Sequence, residues 1–159
     1  KKKKKLVLAS KIEDMLNTVV RQVALCEFER KAHDLRKAGE ISPQSFGKIW
    51  VECQKESFGD SIVLDDRYEN YWSYISHFIH TPFYVYAYAF GDCLVNSLYS
   101  VYQSKMVSNF EDKYIEMLKA GGSLRYNEIL KPFKLDPKDS KFWQGGLNVI
   151  SGFIDELEE

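Results

Sequence analysis

Apolar residues recur every three or four positions along most of this chain, and this period most constrains how it can fold. Between Leu8 and Leu35 the apolar side chains keep this spacing, and Gly39 is a residue that typically ends a helix. Residues three or four apart share one face of an α-helix, whereas strand residues alternate in steps of two. The pattern therefore predicts one long helix from about Leu6 to Ala38, and no segment favours a β-strand.

Capping residues divide the remainder of the chain into further helices. Ser42 and Pro43 predict the start of a second helix, which Gly59 ends, because serine caps helix N-termini and proline suits the first turn. The later predicted helices are Asp65–Tyr74, Phe83–Val107, Phe110–Ala120, Tyr126–Lys131 and Lys141–Leu157. The sequence thus predicts an all-α protein, with two long helices and several shorter ones, in a single helical domain over residues 6–159.

The charges of the chain nearly cancel, which limits the classes of partner. Lysine and arginine total 22 against 23 acidic residues, for a net charge of -1. A protein that binds nucleic acid through phosphate contacts usually carries a basic excess, so no nucleic-acid partner is expected. No apolar run reaches the roughly 18 residues of a membrane span, so no membrane partner is expected. We interpret Lys1–Lys5 as a basic tail, either disordered or left over from a tag.

Three cysteines and three histidines are the soft metal ligands of the chain. Cys26, Cys53 and Cys93 form no C-x-x-C pair, so a structural zinc cage is not expected. An odd number of cysteines on apolar helix faces is typical of reduced, buried thiols. This usage predicts a reducing compartment, and we expect a cytoplasmic protein.

Aromatic residues concentrate between Tyr68 and Phe90, together with two of the three histidines, His77 and His80. On a helix that starts near Thr81, Tyr84 and Tyr88 share a face, while Tyr86 points about 200° away from Tyr88. A phenol is a hydrogen-bond donor that stays neutral at pH 7, and imidazole donates protons or shuttles them. The cluster is therefore either a wall that binds a transition state or an aromatic core, and spacing alone leaves both interpretations open.

Glu29 and His33 lie four residues apart on the first predicted helix, hence on the same face. A metal site would need a third ligand, and the chain contains no H-E-x-x-H motif. We therefore interpret this carboxylate and imidazole as a hydrogen-bonded surface or interhelical pair.

Several segments, in one order along the chain, carry a family resemblance. They are Arg21-Gln22, Glu27-Phe28-Glu29 with His33, Phe58-Gly59-Asp60, His77-Phe78 followed by Pro82-Phe83-Tyr84-Val85-Tyr86-Ala87-Tyr88-Ala89, Leu118-Lys119-Ala120-Gly121-Gly122-Ser123, and Phe153-Ile154-Asp155-Glu156-Leu157. Together they resemble the C-terminal portion of oligoendopeptidase F, in the thimet-oligopeptidase-like zinc metallopeptidases. The resemblance covers nearly all of residues 6–159 and implies a helical fold, which agrees with the periodicity.

The resemblance also implies roles for the aromatic cluster. Carried over residue by residue, His77 would hydrogen-bond the substrate backbone, and Tyr86 would stabilise the oxyanion as the second catalytic residue. The substrate-binding residues would be Tyr84, Phe83, Tyr88 and His80. In this family zinc is held by H-E-x-x-H and a further glutamate, and this chain has neither, so no zinc ligand is identified in it.

The sequence leads to a function hypothesis and one alternative. The chain is predicted to be the C-terminal fragment of a zinc endopeptidase that hydrolyses oligopeptides, inactive by itself because the N-terminal catalytic half is missing. Its exposed apolar surface would then favour self-association. The alternative is a stand-alone helical interaction module without catalysis.

Overall fold

The computed structural model describes residues 2–159, and over these residues the chain is helical and contains no strand. The α-helices are α1 (Lys2–Thr18), α2 (Val20–Ala38), α3 (Pro43–Phe58), α4 (His77–His80), α5 (Tyr86–Ser104), α6 (Phe110–Ala120), α7 (Tyr126–Leu130) and α8 (Ser140–Glu158). Short 3-10 helices cover Gly59–Ser61, Asp66–Tyr74 and Lys131–Phe133. The predicted all-α fold is confirmed.

The long first helix of the prediction is divided at Val19 into α1 and α2. Three β-branched residues follow one another at this point, and such residues crowd the preceding turn of a helix. The Thr18 hydroxyl also donates to the Asp14 carbonyl at 2.7 Å, a bond that tends to bend helices. The backbone bond from Val23 N–H to Val19 O, at 3.0 Å, nevertheless carries the helical path across the break.

The N-terminal lysines belong to α1 from Lys2 onward, so the helix begins earlier than the sequence predicts. The Lys4 ammonium donates to the Glu156 carboxylate, and the Lys5 ammonium donates to the Leu157 carbonyl at 3.1 Å. Lys1 lies outside the described residues. The origin of this basic tail stays a prediction.

Local capping places α3 where the sequence predicts it. The Ser42 hydroxyl accepts a hydrogen bond from the Ser45 amide at 3.2 Å, and Pro43 occupies the first turn. Gly59 ends the helix with φ of 55°, a left-handed conformation that glycine adopts without steric cost. Both ends are therefore set by residues within a few positions of the boundary.

The fifth helix starts later than predicted. Thr81 and Pro82 do not open it, because Phe83 takes φ of 62°, which no α-helix accommodates, and α5 begins only at Tyr86. It ends at Ser104, where the prediction extended to Val107. Asn109 precedes α6 in a left-handed conformation, and its side chain makes no capping bond.

The chain divides into two compact units. One unit is Asp14–Phe90; the other comprises Gly91–Glu159 with the N-terminal residues through Glu13. The core of the first unit joins α2, α3 and the turn before α5, through Leu25, Phe28, Ala32, Ile49, Trp50, Cys53 and Val85. In the second unit the buried residues include Leu98, Val101, Leu130, Phe133, Phe142 and Ile150. The prediction of one domain over residues 6–159 stays a prediction.

Gly146 on α8 lies directly against the backbone of α5. A Cβ at this position would stand 3.0 Å from the Cys93 carbonyl oxygen and 3.1 Å from its Cα. We expect Gly146→Val to lower the free energy of unfolding by about 1–3 kcal/mol, because backbone atoms cannot move aside as side chains can. Chemical denaturation measures this loss.

Gly152 provides the matched control on the same helix, since nothing lies within 4 Å of the position of its Cβ. Gly152→Val should change the free energy of unfolding by about 0.5 kcal/mol or less. Equal losses from the two variants would contradict a close approach of α8 to α5 at Gly146.

No helix among residues 2–159 is long and apolar enough to cross a membrane.

Candidate active site

The site lies in the unit Asp14–Phe90, where α4 leads through a tight turn into α5. The turn spans residues 81–85. Within it Phe83 has a left-handed backbone and Val85 is buried with 1% exposure. Because Val85 packs into the core while its neighbours do not, the turn presents Tyr84 and Tyr86 at the surface.

His77, Tyr84 and Tyr88 come together and form the donor cluster. His77 Nε2 and the Tyr88 hydroxyl are 3.0 Å apart and share a hydrogen bond. The rings of His77 and Tyr84 are nearly parallel, with centroids 6.5 Å apart, and Tyr84 meets Tyr88 edge-on at 6.0 Å. The sequence predicts that Tyr84 and Tyr88 share a face of one helix, but Tyr84 lies in the turn before α5.

The donor cluster is open to solvent, which an aromatic core would not be. Tyr84 is 53% exposed and Tyr88 is 42% exposed, while His77 is half-buried. The bond between His77 and Tyr88 uses one imidazole nitrogen, so the second nitrogen, Nδ1, and the hydroxyl of Tyr84, a residue that is 53% exposed, are further hydrogen-bonding groups of the cluster. The cluster can therefore hydrogen-bond a polar ligand such as a peptide backbone.

Tyr86 and His80 stand apart from the donor cluster. Tyr86 opens α5 and is 55% exposed, about 200° around the helix from Tyr88. His80 ends α4 and is exposed. Both are exposed, and no hydrogen bond or ring contact recorded among residues 2–159 joins them to His77, Tyr84 or Tyr88.

Phe83 contacts the two polar residues of α2 that the sequence interprets as a pair. Its amide donates to Glu29 Oε1 at 2.6 Å, and its ring packs on the His33 imidazole with centroids 4.5 Å apart. The expected hydrogen bond between Glu29 and His33 is therefore replaced by two contacts to a residue far along the chain. A signal for this was present in the sequence, because Glu29 lies among apolar residues of α2 and a buried carboxylate needs a donor.

An aromatic pocket of about 230 Å³ adjoins α2 and α4 in the same unit. Its walls are Phe28, Glu29, Ala32, His33, Arg36, Phe46, Trp72, Phe78 and Ile79. The pocket is mostly apolar, and its size suits a side chain rather than a whole ligand.

The three cysteines are free thiols, as the sequence predicts. Cys53 and Cys93 are buried and Cys26 is half-buried. Burial raises the pKa of each thiol, and at Cys26 the negative charges of Glu29 and Glu27 raise the pKa further. A raised pKa keeps the thiols protonated at neutral pH, which argues against a cysteine nucleophile.

Apolar surface is exposed in the other unit. A groove of about 370 Å³ lies between α5 and α6, with Val95 59% exposed and Ile115 49% exposed at its walls. This observation agrees with the expected exposed apolar surface. Self-association through it stays a prediction.

Comparison with known proteins identifies the family of this chain. Over residues 1–149 the chain matches peptidase family M3, and it belongs to this family. It is 31% identical to Oligopeptidase PepF of Bacillus subtilis over 159 residues, which is 99% of this chain and 23% of that protein. It is 27% identical over 156 residues to the Oligoendopeptidase F homolog of Borreliella burgdorferi, covering 98% of this chain and 26% of that protein.

A solved structure shares the fold. The crystal structure of a "putative peptidase from Chlamydophila abortus" superposes with a TM-score of 0.87 and 28% sequence identity, over 99% of this chain and 26% of that one. The chain therefore spans about a quarter of the length of the relatives it matches, between 23% and 26%. The family resemblance expected from the motifs is confirmed.

Peptidase family M3 is a family of zinc metallopeptidases. Among residues 2–159 no group of three or more His, Cys, Asp and Glu side chains could hold a metal ion. The polar residues described above are also engaged elsewhere, since Glu29 binds the Phe83 amide and His77 binds Tyr88. The residues 2–159 that the structure describes therefore do not fit a zinc site by themselves.

Proposed function

We propose that this chain supplies the substrate-binding wall of a zinc metallopeptidase that hydrolyses short peptides. The observation that carries the proposal is the donor cluster, a half-exposed His77–Tyr88 hydrogen bond with Tyr84 beside it, in a member of peptidase family M3. An aromatic core would bury these rings, whereas here they face solvent.

The proposed roles follow from the hydrogen-bonding capacity of each group. His77 binds the substrate backbone near the scissile bond, and its orientation is held by Tyr88. Tyr86 donates its phenolic proton in a hydrogen bond to the carbonyl oxygen as that oxygen becomes negative. A neutral donor of this kind favours the charged transition state over the uncharged ground state, because its bond strengthens as charge develops.

The remaining site residues contact other parts of the peptide. Tyr84 and Tyr88 present ring faces and hydroxyls, Phe83 presents an apolar ring that is 57% exposed, and His80 lies at the periphery. The aromatic pocket beside α4 is suited to an apolar side chain of the peptide. The zinc ligands and the general base belong, in this proposal, to the part of the relatives that this chain does not cover.

Proteolysis of a quenched fluorescent peptide tests the proposal. We expect the protein from the complete reading frame to cleave the peptide and to lose activity with a chelator, and this chain alone to show no chelator-sensitive cleavage. The reason is that the described residues offer no metal site. A mock purification from cells without the gene controls for contaminating peptidases.

Two outcomes would contradict this function. Chelator-sensitive turnover by the pure chain would show that catalysis does not need the missing part. The absence of any cleavage by the complete protein, across peptides of several lengths, would favour a helical interaction module without catalysis.

A further inference from the structure

Glu29 is a buried carboxylate with an unusual partner. Its side chain is 3% exposed, and carboxylates are almost never that buried without a donor. The donor is the backbone amide of Phe83, 54 residues further along the chain, with 2.6 Å between the nitrogen and Oε1. A carboxylate that accepts from a backbone amide makes one of the stronger hydrogen bonds in proteins. Glu29 therefore ties α2 to the turn that precedes α5.

Phe83, the residue whose amide Glu29 binds, has an unfavourable backbone conformation. Phe83 has φ of 62°, and a bulky aromatic residue rarely adopts the left-handed region. Its amide lies outside the hydrogen-bond ladders of α4 and α5, because the turn lies between these two helices, and it donates to Glu29 instead. Such a conformation persists only where the surroundings hold it. Here the surroundings are the Glu29 carboxylate and the His33 ring, on which the Phe83 ring packs at 4.5 Å.

The same turn carries the substrate-facing groups. Tyr84 lies between two anchors, the Phe83 amide bound by Glu29 and the Val85 side chain, which is 1% exposed in the core. The start of α5 follows directly, so the direction in which Tyr86 and Tyr88 leave the turn depends on these anchors. Tyr88 must reach His77 Nε2 at 3.0 Å for the donor cluster to form.

We propose that Glu29 is a positioning residue: through its bond to the Phe83 amide, it holds the strained turn that places Tyr84 and Tyr88 beside His77 for the peptide substrate. The consequence for substrate rests on the proposed function, whereas the effect on the turn does not. Glu29 is not a metal ligand or a general base in this account. Its Oε1 is committed to an amide, its side chain is buried, and no metal-binding group lies among residues 2–159.

Two conservative variants of Glu29 separate the effect of side-chain length from the effect of the negative charge. Glu29→Gln keeps an acceptor oxygen at the same distance from the backbone but removes the charge. Glu29→Asp keeps the charge but withdraws the acceptor by one methylene, which breaks a bond of 2.6 Å. If the hydrogen bond positions the turn, glutamine should preserve the turn better than aspartate does.

Hydrogen exchange of the full chain, followed by mass spectrometry on peptides spanning residues 81–88, measures the turn without any assay of activity. In Glu29→Asp we expect amide exchange in this peptide to accelerate by about tenfold or more, since hydrogen bonds to charged groups stabilise by that order. In Glu29→Gln the acceleration should be clearly smaller, because the side-chain oxygen still reaches the Phe83 amide but accepts as a neutral group, which makes a weaker hydrogen bond than a carboxylate. Peptides from α3, which lies in the same unit as Glu29 and the turn, report unfolding of that unit and should be unchanged in both variants.

Peptide cleavage by the complete protein is the second readout. Glu29→Asp should lower kcat by about tenfold or more with a smaller change in KM, and Glu29→Gln should retain most of the activity.

Unchanged exchange at residues 81–88 in Glu29→Asp would overturn the positioning role. Equal acceleration in both variants would also overturn it, because an acceptor kept at full reach of the Phe83 amide would then preserve nothing of the turn. If exchange behaves as expected but no variant cleaves peptides, only the proposed function fails.

Discussion

Replacing Tyr86 by phenylalanine in the complete protein should lower kcat by about 10²-fold or more and leave KM nearly unchanged. The variant removes one hydroxyl from a side chain that is 55% exposed at the start of α5, so the fold should not change. An interaction made only as the carbonyl oxygen becomes charged affects the rate of the chemical step and not the binding of substrate. Steady-state kinetics on a quenched peptide measure both constants.

Tyr74 offers a matched control for the loss of a phenolic hydroxyl. It lies at the end of the 3-10 helix Asp66–Tyr74 and is 84% exposed, and Tyr74→Phe should leave kcat and KM at wild-type values. A wild-type kcat for Tyr86→Phe would contradict the proposal that Tyr86 stabilises the oxyanion. A large loss in Tyr84→Phe instead would move that role to the donor cluster.

Phe28→Ala is expected to lower the free energy of unfolding of this chain by about 3–5 kcal/mol. Phe28 is 2% exposed and meets Trp50 edge-on at 5.3 Å between ring centroids, with Phe78 at 5.0 Å. Removing the ring leaves a cavity between α2, α3 and α4 and also ends these aromatic contacts. Urea denaturation followed by circular dichroism gives the difference.

Val63 provides the comparison, because it is an apolar side chain that is 95% exposed. Val63→Ala should change the free energy of unfolding by about 0.5 kcal/mol or less. A loss below about 1 kcal/mol in Phe28→Ala would mean that this aromatic core does not hold the unit together.

The helix boundaries that the sequence predicts well are those set by neighbouring residues. Ser42, Pro43 and Gly59 bound α3 as expected, because a cap hydrogen bond and a left-handed glycine act within one helical turn. The start of α5 is predicted wrongly for the opposite reason. Thr81 and Pro82 are a good local start signal, but the Glu29 carboxylate holds Phe83 in a conformation that no helix allows.

In the candidate site, too, the sequence predicts what depends on nearby residues and misses what depends on distant ones. The resemblance identified His77 and the tyrosines as a group, and the family match agrees with the kind of protein that the motifs predict. His77 and Tyr88 are 11 residues apart in the sequence. Their contact depends on the turn between them and not on helical spacing. The role of Tyr86 stays a prediction, since the exposed side chain is compatible with it but does not require it.

The sequence by itself therefore determined the all-α fold, most helix boundaries and the family, because periodicity, caps and motifs are properties of nearby residues. Only the tertiary structure decided that Glu29 binds the Phe83 amide and that His77 meets Tyr84 and Tyr88. The physical reason is that a buried carboxylate takes whichever donor the packing brings near. Glu29 and Phe83 are 54 residues apart, and the spacing of neighbouring residues does not predict a contact over that distance.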